Sequence, residues 1–145
     1  MPVAEGKISN ELIVQIDGSS RYNPGPAGIG IRVVAPDGSV IKEISRSIGI
    51  KTNNQAEYEA LIEALKEIRC FGIQQPVVIQ TDSELLYQQI NGKYRVRNQK
   101  LKLLHKQALL LLKCLPNVKI TLVERGENRA DRLAKRASGS MRDAK

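Results

Sequence analysis

The hydrophobic period of this chain changes from two to 3.6 near residue 53, and this change constrains the fold more than any other feature of the sequence. Three strands are expected before it, over residues 11–17, 29–35 and 40–48. The expected elements after it are a helix, a strand, two helices, a strand and a helix, over 53–71, 76–82, 84–90, 98–115, 117–124 and 127–138. Strands joined by short links pair antiparallel, whereas a strand reached through a helix is usually parallel to its neighbour. The pattern predicts an α/β fold with a five-stranded mixed sheet, in the order 3-2-1-4-5, flanked by helices.

Two Gly- and Pro-containing stretches separate the first three strands. Residues 19–30 are dense in glycine and proline, so we predict a turn there, and Pro36-Asp37-Gly38 predicts a tight hairpin. The strand before them combines Leu12, Val14 and Ile16 on one side with Gln15 on the other, which indicates a largely buried strand.

The length and composition favour one compact domain. With 145 residues, of which 41% are hydrophobic, the chain is predicted to form a single domain over 1–145 with an ordered core over about 11–138. A loose leader is expected over 1–10 and a frayed tail over 139–145. Cys70 and Cys114 have no CxxC spacing, so neither a disulfide framework nor a zinc site is indicated. No apolar stretch has the length of a membrane span, and no pattern indicates a protein partner. We therefore expect a soluble cytoplasmic protein.

Three carboxylates are expected at one edge of the sheet. Asp17 follows the first apolar strand, Asp82 follows the fourth, and Glu57 lies in the first turn of the first helix, at the border of its apolar face. Taken singly, Glu57 has an alternative interpretation as a capping-box partner of Asn54, and Asp82 has one as a helix cap. Taken together, the three residues suggest a metal-binding carboxylate cluster.

The positive charge of the chain is concentrated in one segment. The formal net charge is +8, and residues 91–116 hold seven basic residues and no acidic ones. The seven are Lys93, Arg95, Arg97, Lys100, Lys102, Lys106 and Lys113. A local basic patch is typical of a protein that binds a polyanion, although a solvated helix face gives the same composition.

Four stretches of the sequence resemble the type 1 ribonuclease H family, in its compact bacterial and archaeal form. They are Asp17-Gly18-Ser19 with Asn23-Pro24-Gly25-Pro26-Ala27-Gly28, then Thr52-Asn53-Asn54-Gln55-Ala56-Glu57, then Thr81-Asp82-Ser83-Glu84-Leu85, and Asn128 with Ala130-Asp131-Arg132-Leu133-Ala134. The resemblance extends over nearly the whole chain, and four motifs in the right order are far more specific than any one of them. It implies an RNase H-like fold.

The resemblance also implies an activity and a cofactor. A member of this family is expected to be an endonuclease that hydrolyses the RNA strand of an RNA/DNA hybrid with two divalent ions, usually Mg²⁺, with Mn²⁺ as a possible substitute. Asp17 would bridge the two ions, Glu57 and Asp82 would complete one site, and Asp131 would hold the ion that activates water. Oxygen ligands suit hard cations, and carboxylates this close would repel one another without them.

Contacts to the hybrid are implied for a further set of residues. The expected minor-groove contacts are Gly18, Asn23, Asn53, Asn54 and Ser83, with Thr52 at a DNA phosphate and Lys93, Arg95 and Arg97 on the backbone of the uncleaved strand. Short polar side chains suit the wide minor groove, where the 2′-hydroxyls distinguish RNA from DNA. Asn23 and Asn53 also suit turn and cap positions, and the two roles are compatible.

The sequence departs from the family pattern at two points. Many members carry a histidine in the loop before the last acidic residue, whereas the only histidine here, His105, belongs to the leucine-rich helix and is expected to be structural or solvated. Proton transfer or product release is then slow, or another group replaces the histidine. In addition, Asn128 lies three residues before Asp131, where the family usually has four, which bears on the position of Asp131. Two alternative functions stay open: a catalytically weak or inactive hybrid-binding protein, and a related nuclease of the same fold that acts on other duplexes.

Overall fold

The computed structural model describes residues 10–139 and arranges them in one five-stranded sheet with helices on both faces. The strands are β1 (Leu12–Ser20), β2 (Gly25–Val34), β3 (Val40–Lys51), β4 (Val77–Thr81) and β5 (Val118–Leu122). The helices are α1 (Asn53–Cys70), α2 (Glu84–Ile90), α3 (Gln99–Lys113) and α4 (Asp131–Ser138), with a 3₁₀ turn at Arg125–Glu127. Nearly all of the predicted leader and of the predicted tail lies outside the described residues, and the single domain stays a prediction.

The sheet has the predicted order, β3-β2-β1-β4-β5. The pairs β1–β2 and β2–β3 are antiparallel, whereas β1–β4 and β4–β5 are parallel. The parallel pairs are the ones whose strands are separated by helices along the chain, as right-handed crossovers require. The mixed five-stranded sheet is therefore confirmed.

Helix α1 covers one face of the sheet because its apolar residues recur at helical spacing. Its buried residues are Ala56, Tyr58, Ala60, Leu61, Ile62, Ala64, Leu65 and Ile68. They join Leu12, Val14 and Ile16 of β1 in the main core, to which α3 adds Leu101, Ala108 and Leu111. Thr52 is the N-cap of α1, and it forms a capping box with Gln55.

The prediction of a turn over residues 19–30 is wrong, because most of this stretch is strand. Ser20 pairs with Ala27 and Ser19 with Gly28, which leaves only residues 21–24 for the turn. Strand positions 28 and 30 are glycines because α4 packs directly on the backbone of β2. A Cβ atom on Gly28 would lie 2.4 Å from the Cβ of Ala137, and one on Gly30 would lie 2.4 Å from the carbonyl oxygen of Ala130.

The closing helix is shorter than the predicted 127–138. After the 3₁₀ turn, Asn128 adopts an extended conformation with φ −92° and ψ 104°, and α4 begins only at Asp131. The side chain of Asn128 is buried and donates from Nδ2 to the carbonyl oxygen of Ile16 at 2.8 Å. Because this hydrogen bond ties Asn128 to β1, the backbone stays extended at Asn128 and α4 begins only after it.

Among the helices within residues 10–139, none combines the length and the apolar character needed to cross a membrane.

Candidate active site

The parallel register of β1 and β4 brings two aspartates together. Gln15 pairs with Gln80 across the two strands, and Asp17 and Asp82 each lie two residues further along. The Gln15 side chain fixes this register, because its Nε2 donates to Gln80 Oε1 at 3.0 Å and to the carbonyl oxygen of Glu127 at 3.0 Å. The carboxyl ends of two adjacent parallel strands thus place two carboxylates at one edge of the sheet.

Glu57 reaches the same edge from helix α1. The backbone N–H of Gly18 donates to Glu57 Oε1 at 3.0 Å. Strand and helix approach so closely here that a Cβ atom on Gly18 would lie 2.2 Å from the carbonyl carbon of Ala56, which only glycine avoids. The alternative interpretation of Glu57 as a capping-box partner of Asn54 is wrong, since Gln55 occupies that role.

One carboxylate oxygen from each of Asp17, Glu57 and Asp82 lies within 4.8 Å of the other two. Burial raises the pKa of Asp17 to about 8, and the nearby charges of Asp82 and Asp131 contribute to this increase. Burial, followed by the charges of Asp17 and Asp82, also raises the pKa of Glu57 well above its ordinary value. The pKa of Asp82 is raised, mainly by burial. These mutually repelling oxygens suit a hard divalent cation.

Asp131 lies beside this group, in the first turn of α4. It lines the same cavity of about 270 Å³, and a hydrogen bond between its carboxyl group and that of Asp17 contributes to the raised pKa of Asp17. Its Oδ2 also pairs with Lys135 Nζ at 3.2 Å, one turn along the helix. The shortened spacing from Asn128 therefore leaves the fourth predicted carboxylate facing the cavity.

Asn128 explains how the shortened loop still orients α4. Besides its bond to Ile16, its Oδ1 accepts from the backbone N–H of Ala130 at 3.1 Å, and a hydrogen bond from its side chain lowers the pKa of Asp82. One buried amide thus connects β1, the end of β4 and the start of α4.

Three residues near the carboxylates were missed in the sequence analysis. Arg125 and Lys135 line the cavity, and the positive charge of Arg125 partly offsets the rise in the pKa values of Asp17, Glu57 and Asp82. Gln15 fixes the strand register. The available signals were a basic residue in the loop before Asp131, a lysine four residues after it, and a lone amide within an apolar strand.

His105 lies away from the carboxylates, as predicted. Its Nε2 donates to the carbonyl oxygen of Gln89 at 3.1 Å, and its ring packs edge-on against Tyr58 with the centroids 6.3 Å apart. The loop before Asp131 therefore contains no histidine, and its basic residue nearest to the carboxylates is Arg125.

The residues predicted to contact the hybrid near the carboxylates lie in two cavities, apart from Ser83, which lines neither. Gly18, Asn53 and Asn54 line the carboxylate cavity. Asn23 and Thr52 line a neighbouring cavity of about 690 Å³, to which Asn54 also contributes. Asn54 is therefore the link between the two cavities.

Several of these residues have structural roles as well. Asn23 Oδ1 accepts from the backbone N–H of Asn53, whose own Oδ1 accepts from that of Ser20. Ser83 is the N-cap of α2, and it accepts from the backbone N–H of Leu86. Because Ser83 holds the cap position, Asp82 is free of the capping role that the sequence left open.

The basic residues Lys93, Arg95 and Arg97 lie between α2 and α3, with exposed side chains. None of the three lines the carboxylate cavity. The first residues of α3, including Lys100, line the neighbouring cavity that holds Thr52. Lys100 therefore borders the cavity of Thr52, whereas Lys93, Arg95 and Arg97 line neither cavity.

A mixed sheet of this strand order, with carboxylates at the ends of β1 and β4, is the RNase H-like fold that the motifs predicted. A family model described as "Reverse transcriptase-like" matches residues 15–137. The ribonuclease HI of Halobacterium salinarum is 41% identical over 122 residues, which are 83% of this chain and 61% of that protein. The bifunctional protein Rv2228c of Mycobacterium tuberculosis is 38% identical over 126 residues, which are 86% of this chain and 34% of that protein. The chain thus spans less than two thirds of the length of these curated relatives.

Solved structures agree with these comparisons. LC11-RNase H1, isolated from compost by a metagenomic approach, superposes with a TM-score of 0.84 at 38% identity, covering 90% of this chain and 97% of that one. The RNase H1 of Halobacterium salinarum superposes with a TM-score of 0.83 at 38% identity, covering 90% and 99%. The chain belongs to the type 1 ribonuclease H family, as its motifs predicted. Catalysis by divalent metal ions is general in this family.

Proposed function

We propose that this protein is an endoribonuclease that hydrolyses the RNA strand of RNA/DNA hybrids. The observation that carries the proposal is the convergence of the Asp17, Glu57 and Asp82 oxygens within 4.8 Å, at the edge of the sheet where substrates bind in α/β folds. The family relationship supports the substrate class, because LC11-RNase H1 has been solved in complex with an RNA/DNA hybrid and superposes with a TM-score of 0.82 at 37% identity.

The four carboxylates fit a pair of Mg²⁺ ions, with Mn²⁺ as a substitute. In the proposal, Asp17 would be shared by the two ions, Glu57 and Asp82 would complete one site, and Asp131 would serve the other. Such ions would supply Lewis-acid stabilisation of the attacking and leaving oxygens of the phosphodiester that is hydrolysed. The all-oxygen donor set and the raised pKa values of Asp17, Glu57 and Asp82 support this assignment.

The protein's own part in the reaction is to hold these carboxylates rigid. Gly18 orients Glu57 through its backbone N–H, and Asn128 orients the start of α4. Lys135 neutralises Asp131 before substrate arrives, and the positive charge of Arg125 faces the region where the scissile phosphate is expected. Such preorganisation reduces the rearrangement needed in the transition state.

Recognition of the hybrid is assigned to the surface around Asn54. We propose that Gly18, Asn23, Asn53, Asn54 and Ser83 contact the minor groove, that Thr52 contacts a DNA phosphate, and that Lys93, Arg95 and Arg97 contact the uncleaved strand. The adjoining cavities that Asn54 shares support this arrangement.

The exposed free cysteines, Cys70 and Cys114, support the cytoplasmic location that completes the proposal.

A cleavage assay on four labelled duplexes tests the activity. The duplexes are RNA/DNA, RNA/RNA, DNA/DNA and DNA with a single ribonucleotide, each incubated with Mg²⁺ or Mn²⁺. We expect cleavage of the RNA strand of the hybrid. Tight binding without cleavage in either metal would instead identify a hybrid-binding protein, and preferential cutting of another duplex would identify a related nuclease of the same fold.

A further inference from the structure

A second cavity, of about 550 Å³, adjoins the carboxylate cavity and is lined by five arginines. They come from β2, from the loop that follows β5, and from α4: Arg32, Arg125, Arg129, Arg132 and Arg136. Only two acidic residues, Glu43 and Asp131, share the lining among the residues that the structure describes. This cavity, called here the arginine cavity, therefore carries a net positive charge, although its lining residues lie outside the basic segment 91–116.

Most of this charge is available to a ligand. Arg32 is engaged, since its Nε lies 3.6 Å from Glu43 Oε2 and its Nη1 donates to Gln15 Oε1 at 3.1 Å. Arg129, Arg132 and Arg136 have exposed side chains and form no salt bridge with any carboxylate of residues 10–139. Guanidinium groups bind phosphate oxygens in a bidentate manner, so three free ones around a cavity favour a phosphate-bearing ligand.

The position of the arginine cavity indicates which phosphates it meets. It shares Arg125 and Asp131 with the carboxylate cavity, which in turn shares Asn54 with the cavity that holds Thr52 and Lys100. The carboxylate cavity therefore adjoins the other two cavities, which share no lining residue with each other. A strand whose phosphate lies at the carboxylates continues in both directions, and on one side its next phosphates reach the arginines.

We propose that the arginine cavity is a backbone-phosphate subsite for the RNA strand, on the side of the scissile phosphate opposite to Thr52 and Lys100. The proposal rests on the proposed function for the identity of the strand. The contact is electrostatic and independent of base sequence, because it involves phosphates alone. It holds the cleaved strand on the side of the carboxylates that the basic segment between α2 and α3 does not reach.

The test compares two triple variants in an Asp17→Asn background, in which cleavage is removed and binding is measured alone. The first, called here the arginine variant, is Arg129→Gln/Arg132→Gln/Arg136→Gln. The second, called here the control triple, is Lys66→Gln/Arg69→Gln/Lys119→Gln, which removes the same charge from exposed positions that line none of the three cavities. The probes are RNA/DNA hybrids in which single phosphates of either strand are replaced by neutral methylphosphonates.

We expect the arginine variant to bind the unmodified hybrid more weakly than the parent does. Its logarithmic salt slope should be smaller by about 0.9 for each phosphate that no longer meets a guanidinium group, by analogy with B-form DNA. Neutralising one or two RNA phosphates on one side of the cleavage position should weaken binding of the parent and leave the arginine variant unaffected. The control triple should behave as the parent does.

Equal affinities and salt slopes for the arginine variant and the control triple would overturn the subsite. Sensitivity confined to phosphates of the DNA strand would overturn the assignment to RNA. The four-duplex assay is independent of both results, since a protein that binds the hybrid through the arginines but cuts none of the duplexes disproves the proposed activity and leaves the phosphate subsite intact.

Discussion

The backbone N–H of Gly18 and the carboxylate of Glu57 are joined by a hydrogen bond of 3.0 Å, which connects strand β1 to helix α1 within the carboxylate cluster. The bond exists because Gly18 has no side chain, so the first turn of α1 packs against the strand backbone. Glu57 is thereby held by the same residue that follows Asp17. The distance between the carboxylates of Asp17 and Glu57 therefore depends on the packing of α1 against the β1 backbone more than on side-chain rotamers.

The first prediction concerns Gly18→Ala. A Cβ atom 2.2 Å from the carbonyl carbon of Ala56 forces α1 away from β1, and overpacking of this kind costs about 1–3 kcal/mol. We expect a reduced free energy of unfolding in urea and a large loss of cleavage, since Glu57 moves with the helix. Gly126→Ala is the matched control, because a Cβ atom there has no neighbour within 4 Å. Equal stability of the two variants would contradict the packing argument.

The second prediction concerns Asp17→Asn. The substitution removes a charged oxygen ligand without adding volume, so we expect a rate loss of about three orders of magnitude, equivalent to about 4 kcal/mol of transition-state stabilisation. Hybrid binding and the far-ultraviolet circular dichroism spectrum should stay unchanged. Glu59→Gln, which removes an acidic residue of α1 outside the cluster that pairs with Lys51, should retain full activity. Strong cleavage by Asp17→Asn at saturating Mg²⁺ would disprove the two-ion assignment.

The third prediction is that divalent ions stabilise the folded protein. The native state holds several carboxylates at one place and the unfolded chain does not, so an ion binds the native state selectively. At 100 times the dissociation constant, the gain is about 2.7 kcal/mol. Calorimetry with and without Mg²⁺ measures the change in melting temperature, and Asp17→Asn should show a smaller one. A shift of equal size in both proteins would place the binding elsewhere.

The fourth prediction concerns pH in the metal-free protein. The folded-state pKa of Asp17 is raised to about 8 from 3.8, so between these two values the native state binds more protons than the unfolded state. Stability from this group is therefore greatest below about pH 4 and is lost as the pH rises towards 8. As the pH rises over this range, the unfolding free energy of Asp17→Asn should increase relative to that of the parent. A pH-independent difference would contradict the prediction.

The fifth prediction concerns the basic segment between α2 and α3. Lys93→Gln/Arg95→Gln/Arg97→Gln should raise KM and reduce its dependence on salt, with little effect on kcat, because these residues bind ground state and transition state alike. Steady-state cleavage at two salt concentrations measures both effects, with the control triple for comparison. An unchanged KM and salt dependence would show that the charges only solvate this part of the surface.

The fold was predictable because its signals are local and periodic. The change of period near residue 53 separates the meander from the crossovers, and Thr52 with Gln55 marks the start of α1. The turn over residues 19–30 was mispredicted because a glycine can mark either a turn or a strand position on which a helix packs closely. The sequence alone does not distinguish the two. Gly28 and Gly30 lie in a strand to admit a helix, and that helix is about 100 residues away in the chain.

The carboxylates were predictable as residues that end strands or open a helix, and the comparisons then placed the chain in the expected family. The arginine cavity was not predictable from charge counting. Arg125, Arg129 and Arg132 alternate with Glu124, Glu127 and Asp131, so the sequence around them is nearly neutral. The acidic and basic side chains are separated only in the folded protein, because the helix and the loop turn the carboxylates and the guanidinium groups toward different neighbours.

The two glycines of β2 also limit how the activity of this protein can be tuned. Helix α4 rests on bare backbone at Gly28 and Gly30, so no substitution beneath it can shift Asp131 by a small amount. The freedom to adjust the fourth carboxylate lies on the outer side of the helix, at exposed positions such as Arg132, Lys135 and Arg136. Natural variation or laboratory selection for altered turnover is therefore expected to accumulate at those outer positions, while the strand beneath the helix stays fixed.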